Sequence, residues 1–289
     1  MFGRRAARER FEQAHARRFA ANADGVVVGA EDIRLPHASG RAALVLHGFN
    51  DTPQSMAYLA TRLHEAGWSV LAPRLPGHGV RLPLMARDSR AALWRQAVAA
   101  HYSALRAEHD IVVVCGQSMG GALATLLAAA HPEIPALVLL APYLSMPWSI
   151  QLRTALAWVL QLTSPYFQGS GGDRSLHDAE AKARALGPGV ITARTMTELR
   201  AVARAAEAVL PTLRVPTLYM QSREDNRISE ADARRHFAAI GSPDKVMHWL
   251  SGCGHIISAD YGRDEVAAET IAWFEQHAAL HTPQGVSTR

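Results

Sequence analysis

Gly116-Gln117-Ser118-Met119-Gly120 closes the β-branched run Val112-Val113-Val114-Cys115 and opens an Ala/Leu-rich stretch. A serine between two glycines, on a sharp turn from strand to helix, is a nucleophile held clear of a sheet. Gly116 and Gly120 carry no Cβ, so strand and helix can approach closely around a strained serine. The helix N-terminus beneath the hydroxyl favours developing negative charge. The chemistry this suits is acyl transfer, and it needs a base and an acid to orient the base. Pro216-Thr217-Leu218-Tyr219-Met220 reads as a buried strand followed by Glu224 and Asp225, and Val246-Met247-His248-Trp249-Leu250 as another leading to Gly252-Cys253-Gly254-His255. Both candidates thus lie just past the C-terminal end of a strand, where open α/β sheets place their sites. Ser118, Asp225 and His255 follow one another in the order expected for such a nucleophile turn, with Asp225 preferred over Glu224 by its loop position. The apolar run Ala42–Leu46, ending in His47-Gly48-Phe49, supplies the remaining part. Backbone N–H groups of Phe49 and Met119 are the expected oxyanion donors. His47 and His78 are read as loop-fixing residues rather than second catalytic histidines.

These residues are positioned by a recurring pattern. Strands are expected at 42–46, 68–72, 111–115, 136–140, 217–220 and 246–250, after an opening strand or hairpin begun by Val26-Val27-Val28. Helices are expected at 55–65, 93–108, 119–130, 230–240 and 264–277. Short apolar strands alternating with helices mean βαβ units and a parallel sheet covered on both faces.

His47-Gly48-Phe49, Asp51-Thr52-Pro53-Gln54-Ser55-Met56, Pro73-Arg74-Leu75-Pro76-Gly77-His78-Gly79, Gly116 to Gly121 and Ser222-Arg223-Glu224-Asp225 together resemble the bacterial monoacylglycerol lipase and carboxylesterase branch of the α/β-hydrolases. The resemblance runs over about 26–277, apart from the middle. It implies an α/β-hydrolase fold with a mostly parallel sheet, helices on both faces and a helical cap insertion. It also implies the triad and oxyanion positions given above. The stretch between Leu144 and Leu210 does not visibly match the branch's cap, so no glycerol-binding residue is carried over.

The chain divides accordingly into a basic extension (1–24), a core (25–144 and 211–280), an insertion (145–210) and a loose tail (281–289). The insertion is too long for an ordinary βα connection. It contains an apolar helical pattern over 149–162, a glycine-rich joint at 169–172 and a second helix over 197–209 with Thr197 as N-cap. Most of its apolar residues are expected to pack on the core. Trp148, Leu152 and Trp158 are the expected substrate-binding residues, forming part of an acyl pocket wall that moves as lids do.

At 289 residues and 48% hydrophobic content, the chain suits one large soluble domain. No apolar run is long enough to span a bilayer, and no h-region follows the arginine-rich start. Two cysteines make no disulfide framework, which points to the cytoplasm. No His/Cys cluster has metal-ligand spacing, and the chemistry needs no cofactor. Nucleic-acid binding has no supporting motif. Six arginines against three acids over 1–24 carry most of the formal charge of +4. Phe11, His15 and Phe19 share one helical face, which could make weak contact with an anionic membrane surface. A locally packed or frayed extension is the preferred reading. The expected function is hydrolysis of carboxylic esters with an apolar acyl chain, monoacylglycerols or short-to-medium chain monoesters. An acyltransferase or a peptidase could use the same residues, and a non-catalytic ligand-binding protein could use the same fold.

Overall fold

The computed structural model describes residues 2–169 and 175–280. Helix α1 (Phe2–Arg18) precedes strand β1 (Ile33–Leu35) and β2 (Arg41–Leu46). A 3-10 turn (Pro53–Met56) leads into α2 (Ala57–Glu65) and β3 (Ser69–Ala72). Then come α3 (Leu82–Asp88), α4 (Ala91–Glu108), β4 (Ile111–Gln117), α5 (Met119–Ala130) and β5 (Leu137–Leu140). The insertion follows with α6 (Trp148–Leu160), β6 (Phe167–Gln168), α7 (Ala179–Arg184), β7 (Val190–Ile191) and α8 (Ala193–Val209). The chain then adds β8 (Thr217–Ser222), α9 (Glu230–Ala239), β9 (Lys245–Leu250) and α10 (Arg263–Ala279).

Seven strands form one sheet in the order β1-β3-β2-β4-β5-β8-β9, parallel throughout except for β1 against β3. Period-two alternation splits its apolar residues between two cores. Leu44, Val112, Val114 and Leu139 face Trp94, Leu123, Leu127 and Val202 on one side. Val45, Val113, Val138 and Leu140 face Leu59, Leu63, Val266 and Phe274 on the other. Burial on both faces explains why these strands read as continuous apolar runs.

Several local expectations are corrected. Val26 and Val27 make only isolated bridges, to Val80 and Ala21, and the first strand of the sheet is Ile33–Leu35. Gly25 and Gly29 bracket the valines with φ of 79° and 89°, turning the chain before a strand can extend. The second helix of the insertion begins at Ala193, with Thr192 as N-cap rather than Thr197. Thr192 Oγ1 accepts from Thr195 N, and Thr195 Oγ1 from Thr192 N, both at 3.0 Å. Helix α3 is not among the expected helices; Pro83 sits in its first turn, where its missing N–H is harmless.

The N-terminal extension is helical, but its aromatic face is turned inward. Phe11 packs beside Tyr166, whose hydroxyl donates to Glu12, and His15 and Phe19 are buried. Those side chains are therefore not presented to a membrane surface. In the insertion, α8 shares the main core with α5 through Leu199, Val202, Ala203 and Ala206. Helix α6 departs from the expected packing. Only Thr154 is buried, while Trp148, Leu152 and Trp158 are 76%, 62% and 42% exposed, with Leu156 and Val159 also in solvent. Residues 170–172 of the glycine-rich joint and the tail 281–289 lie outside the described residues.

Candidate active site

The turn between β4 and α5 requires its glycines. A Cβ on Gly116 would fall 2.3 Å from Gly120 O, and one on Gly120 would fall 2.3 Å from Leu46 O. Real Cβ atoms do not tolerate such approaches, so strand and helix pack this closely only because both positions are glycine. Ser118 between them has φ 55° and ψ −115°, a strained conformation for a side-chain-bearing residue. Its backbone is bound on both sides: Ser118 N donates to Leu140 O (2.9 Å), and Ser118 O accepts from Ala122 N (3.1 Å) and Tyr143 N (3.0 Å).

The three residues expected to act together do meet, although β8 and β9 deliver two of them from far along the chain. Ser118 Oγ donates to His255 Nε2 at 2.8 Å. His255 Nδ1 donates to Asp225 Oδ2 at 2.7 Å. The Asp225 side chain is fully buried. Burial alone would raise its pKa, but His255 and the N–H groups of Arg227 (2.6 Å) and Ile228 (3.0 Å) outweigh that and hold it below the usual carboxylate value. Glu224 points elsewhere, accepting from Gly252 N at 3.2 Å and Ser222 Oγ at 3.2 Å. The loop after β2 brings Gly48 against the serine: a Cβ there would lie 3.3 Å from Ser118 Cβ. Phe49 follows Gly48, and Met119, the first residue of α5, follows Ser118 directly.

His47 is fully buried, donates from Nδ1 to Gly48 O (2.8 Å) and accepts at Nε2 from Leu75 N (3.1 Å). Both ring nitrogens are occupied by the backbone, which ties the Gly48–Phe49 turn to the Leu75 loop. His78 donates from Nδ1 to Pro76 O (3.1 Å), and burial lowers its pKa to about 4. Cys115 and Cys253 are both free and buried, and burial raises both thiols, Cys253 to about 11. Among the described residues no His, Cys, Asp and Glu grouping could hold a metal ion, and no helix is long and apolar enough to cross a membrane.

Sequence reasoning missed several supporting residues. Gln117 Nε2 donates to His255 O at 2.9 Å, and Gln221 Nε2 to Asp225 Oδ2 at 2.7 Å. Gln117 acts across the sheet, whereas Gln221 acts within its own strand-end loop, on a residue close to it in sequence. Asp51 is the other omission. It follows the Gly48–Phe49 turn, accepts from Thr52 N at 2.8 Å, and burial raises its pKa to about 6 despite that bond and one from Ser55. A folded-state pKa above the unfolded one makes the folded protein hold the proton more tightly. The penalty is absent below about pH 4 and grows as pH rises through 6. Asp51→Asn keeps an acceptor for Thr52 N. It should therefore melt several degrees above wild type at pH 8, by at most about 3 kcal/mol, with the difference vanishing near pH 4. Thermal melts at the two pH values check this, and an equal shift at both would contradict the stated cause.

The comparisons with known proteins follow this geometry. The family model described as serine aminopeptidase, S33, matches residues 38–261. The thermostable monoacylglycerol lipase of Bacillus sp. (strain H-257) is 29% identical over 235 residues, covering 81% of this chain and 90% of the relative. The carboxylesterase of Bacillus subtilis (strain 168) is 24% identical over 237 residues, covering 82% and 93%. A solved structure from work on LipS and LipT, two metagenome-derived lipolytic enzymes, superposes with a TM-score of 0.79 at 29% identity, covering 87% of this chain and 100% of that one. The chain belongs to the serine aminopeptidase S33 family, within the monoacylglycerol lipase and esterase-like branch of the α/β-hydrolases.

Proposed function

We propose that this protein is a serine hydrolase that cleaves carboxylic esters with an apolar acyl chain, monoacylglycerols or short-to-medium chain monoesters, through an acyl-enzyme on Ser118. The observation that carries this reading is the unbroken relay from Ser118 Oγ to His255 (2.8 Å) and on to Asp225 (2.7 Å). Ser118 attacks the ester carbonyl as His255 Nε2 takes the hydroxyl proton. The N–H groups of Phe49 and Met119 hold the oxyanion, preorganised at the turn. Collapse expels the alcohol, which receives the proton from His255. Water then loses a proton to the same nitrogen as it attacks the acyl-enzyme, and collapse releases the acid while His255 returns the proton to Ser118 Oγ. Asp225, ionised throughout, keeps Nδ1 protonated and stabilises the imidazolium.

The matched relatives, a lipase and a carboxylesterase, favour ester hydrolysis over the aminopeptidase activity in the family's description. Acyl transfer to another acceptor would use the same residues. The two free, buried cysteines suit a reducing compartment, and the proposed location is the cytoplasm. The proposed cap is the insertion 145–210, and its α6 row contributes Trp148, Leu152 and Trp158 to substrate binding. Trp148 and Leu152 stand in solvent one turn apart, a stripe available to an acyl chain, and Trp158, 42% exposed, lies to the side of it with Nε1 donating to Thr197 Oγ1 on α8 at 3.1 Å. Each buried methylene contributes about 0.8 kcal/mol, or about fourfold in kcat/KM.

A series of p-nitrophenyl esters from acetate to laurate tests both parts. Wild type should hydrolyse the series, with kcat/KM rising with chain length until contact is complete. Leu152→Ser and Trp158→Ser should flatten that rise. Leu152→Ser should leave the melting temperature nearly unchanged, because that side chain is 62% exposed. Trp158→Ser also loses the bond from Nε1 to Thr197 Oγ1 on α8 (3.1 Å) and should melt modestly lower. No ester hydrolysis by wild type would remove the function. An unchanged chain-length profile in both variants would remove the role of the row.

A further inference from the structure

Asp260, five residues beyond His255, is completely buried, and its carboxylate accepts from four backbone N–H groups. Oδ2 accepts from Gly254 N at 2.7 Å and His177 N at 2.8 Å. Oδ1 accepts from Asp178 N at 2.8 Å and Tyr261 N at 2.9 Å. Gly254 is the residue before His255, whereas His177 and Asp178 belong to the insertion, on the segment leading into α7. The same segment holds the residue after the histidine, since Ile256 N donates to Ser175 O at 2.9 Å. Its reach extends to the acid loop: Arg227 Nε donates to Ser175 Oγ at 3.3 Å, and Arg227 N is one of the donors to Asp225. His177 Nδ1 also donates to Gly252 O at 3.3 Å.

Both chain neighbours of His255 are thus anchored to segment 175–178, one directly and one through Asp260. We propose that Asp260 is a positioning residue that docks segment 175–178 against the His255 turn, so that the alignment of the imidazole between Ser118 and Asp225 depends on the insertion being seated. The inference rests on the catalytic reading of Ser118, His255 and Asp225. Four charge-assisted bonds to one buried carboxylate make a stiff joint, because each oxygen receives one donor from the insertion and one from the sheet side. Loss of either pair frees the turn. A displacement of about 1 Å at a reacting group can cost about 100-fold in rate.

Asp260→Asn retains the size of the side chain and one acceptor oxygen, but sets an amide N–H₂ against two N–H donors. With p-nitrophenyl acetate, well below the melting temperature, it should lower kcat by ~30-fold or more while KM stays within ~3-fold. In an Asp225→Asn background the same substitution should cost under ~3-fold, because the alignment it protects is already without effect. A substitution that merely weakened folding would cost the same factor in both backgrounds.

A second variant covers the case in which Asp260→Asn fails to fold. Asp178 has φ −64°, which proline adopts, so Asp178→Pro deletes the N–H to Asp260 without imposing a new φ. Asp178→Ala is its control, because it removes the capping side chain and keeps the N–H. Asp178→Pro should lower kcat at least ~5-fold relative to Asp178→Ala at similar KM. Equal kcat in that pair, or equal cost of Asp260→Asn in both backgrounds, overturns the proposal. Failure of the underlying catalytic reading looks different: Asp225→Asn would itself leave kcat intact.

Discussion

Ser118→Ala should lose ester hydrolysis by about 10⁵ to 10⁶-fold in kcat while remaining folded. In the proposed mechanism the hydroxyl bonded to His255 Nε2 at 2.8 Å forms the acyl-enzyme, and its removal leaves the imidazole without the nucleophile it deprotonates. Stability should change little, because alanine inherits the same strained backbone, φ 55°, and the side chain is already packed beside Gly48. Ser118→Gly should be equally inactive and more stable than alanine by about 1 kcal/mol, since glycine adopts that φ without a Cβ penalty. Hydrolysis of a p-nitrophenyl ester, labelling by a fluorophosphonate and thermal melts measure the three quantities. Residual activity of Ser118→Ala above about one per cent, or failure of wild type to label, would end the serine-hydrolase reading.

Asp225→Asn should lower kcat by about 10⁴-fold, the scale seen when a comparable triad loses its carboxylate. Asparagine at this position turns an N–H₂ or a neutral oxygen toward His255 Nδ1. The imidazole is then left in the wrong tautomer or without a partner for its positive form. Glu224→Gln should stay within about threefold of wild type, because Glu224 is bound to Gly252 N and Ser222 Oγ rather than to the imidazole. Stability should respond in the opposite pH sense to that of Asp51. Asp225 has a depressed folded-state pKa, so its stabilising contribution is present above the ordinary carboxylate value near pH 4 and is lost as pH falls through the folded one. Steady-state kinetics of the two variants decides the matter, and a reversed ranking would make Glu224 the acid.

The strand-to-helix turn at Ser118 was legible in the sequence because all its determinants are local. A β-branched strand, two glycines that cannot bear a Cβ, a serine and a helix-forming run lie within a few residues, and each agrees with the others. The alternation of apolar strands with helices is local too, so the sheet could be read with errors confined to element ends and to short elements such as α3. The order of Ser118, Asp225 and His255 followed from their places after strands. Their meeting within 2.7–2.8 Å depended on the parallel stacking of β4, β5, β8 and β9, which no single segment encodes.

Loop position favoured Asp225 over Glu224 in the sequence, but it did not show what each carboxylate meets. The two carboxylates are adjacent, and only the turn that binds Asp225 Oδ1 to Arg227 N and Ile228 N sends one to the histidine and the other to Gly252. Helix α6 shows the same limit. Its periodicity says which side chains share a face, but not whether another element covers that face, and the structure leaves Trp148 and Leu152 in solvent. Asp260 had no sequence signal at all. Two of its four donors come from more than 80 residues earlier, and a buried carboxylate is satisfied only when distant backbone N–H groups converge on it. Backbone preference and apolar period are properties of neighbouring residues and can be read along the chain. Which groups end up facing one another is settled by packing among distant segments, and that is where the tertiary structure decided the site.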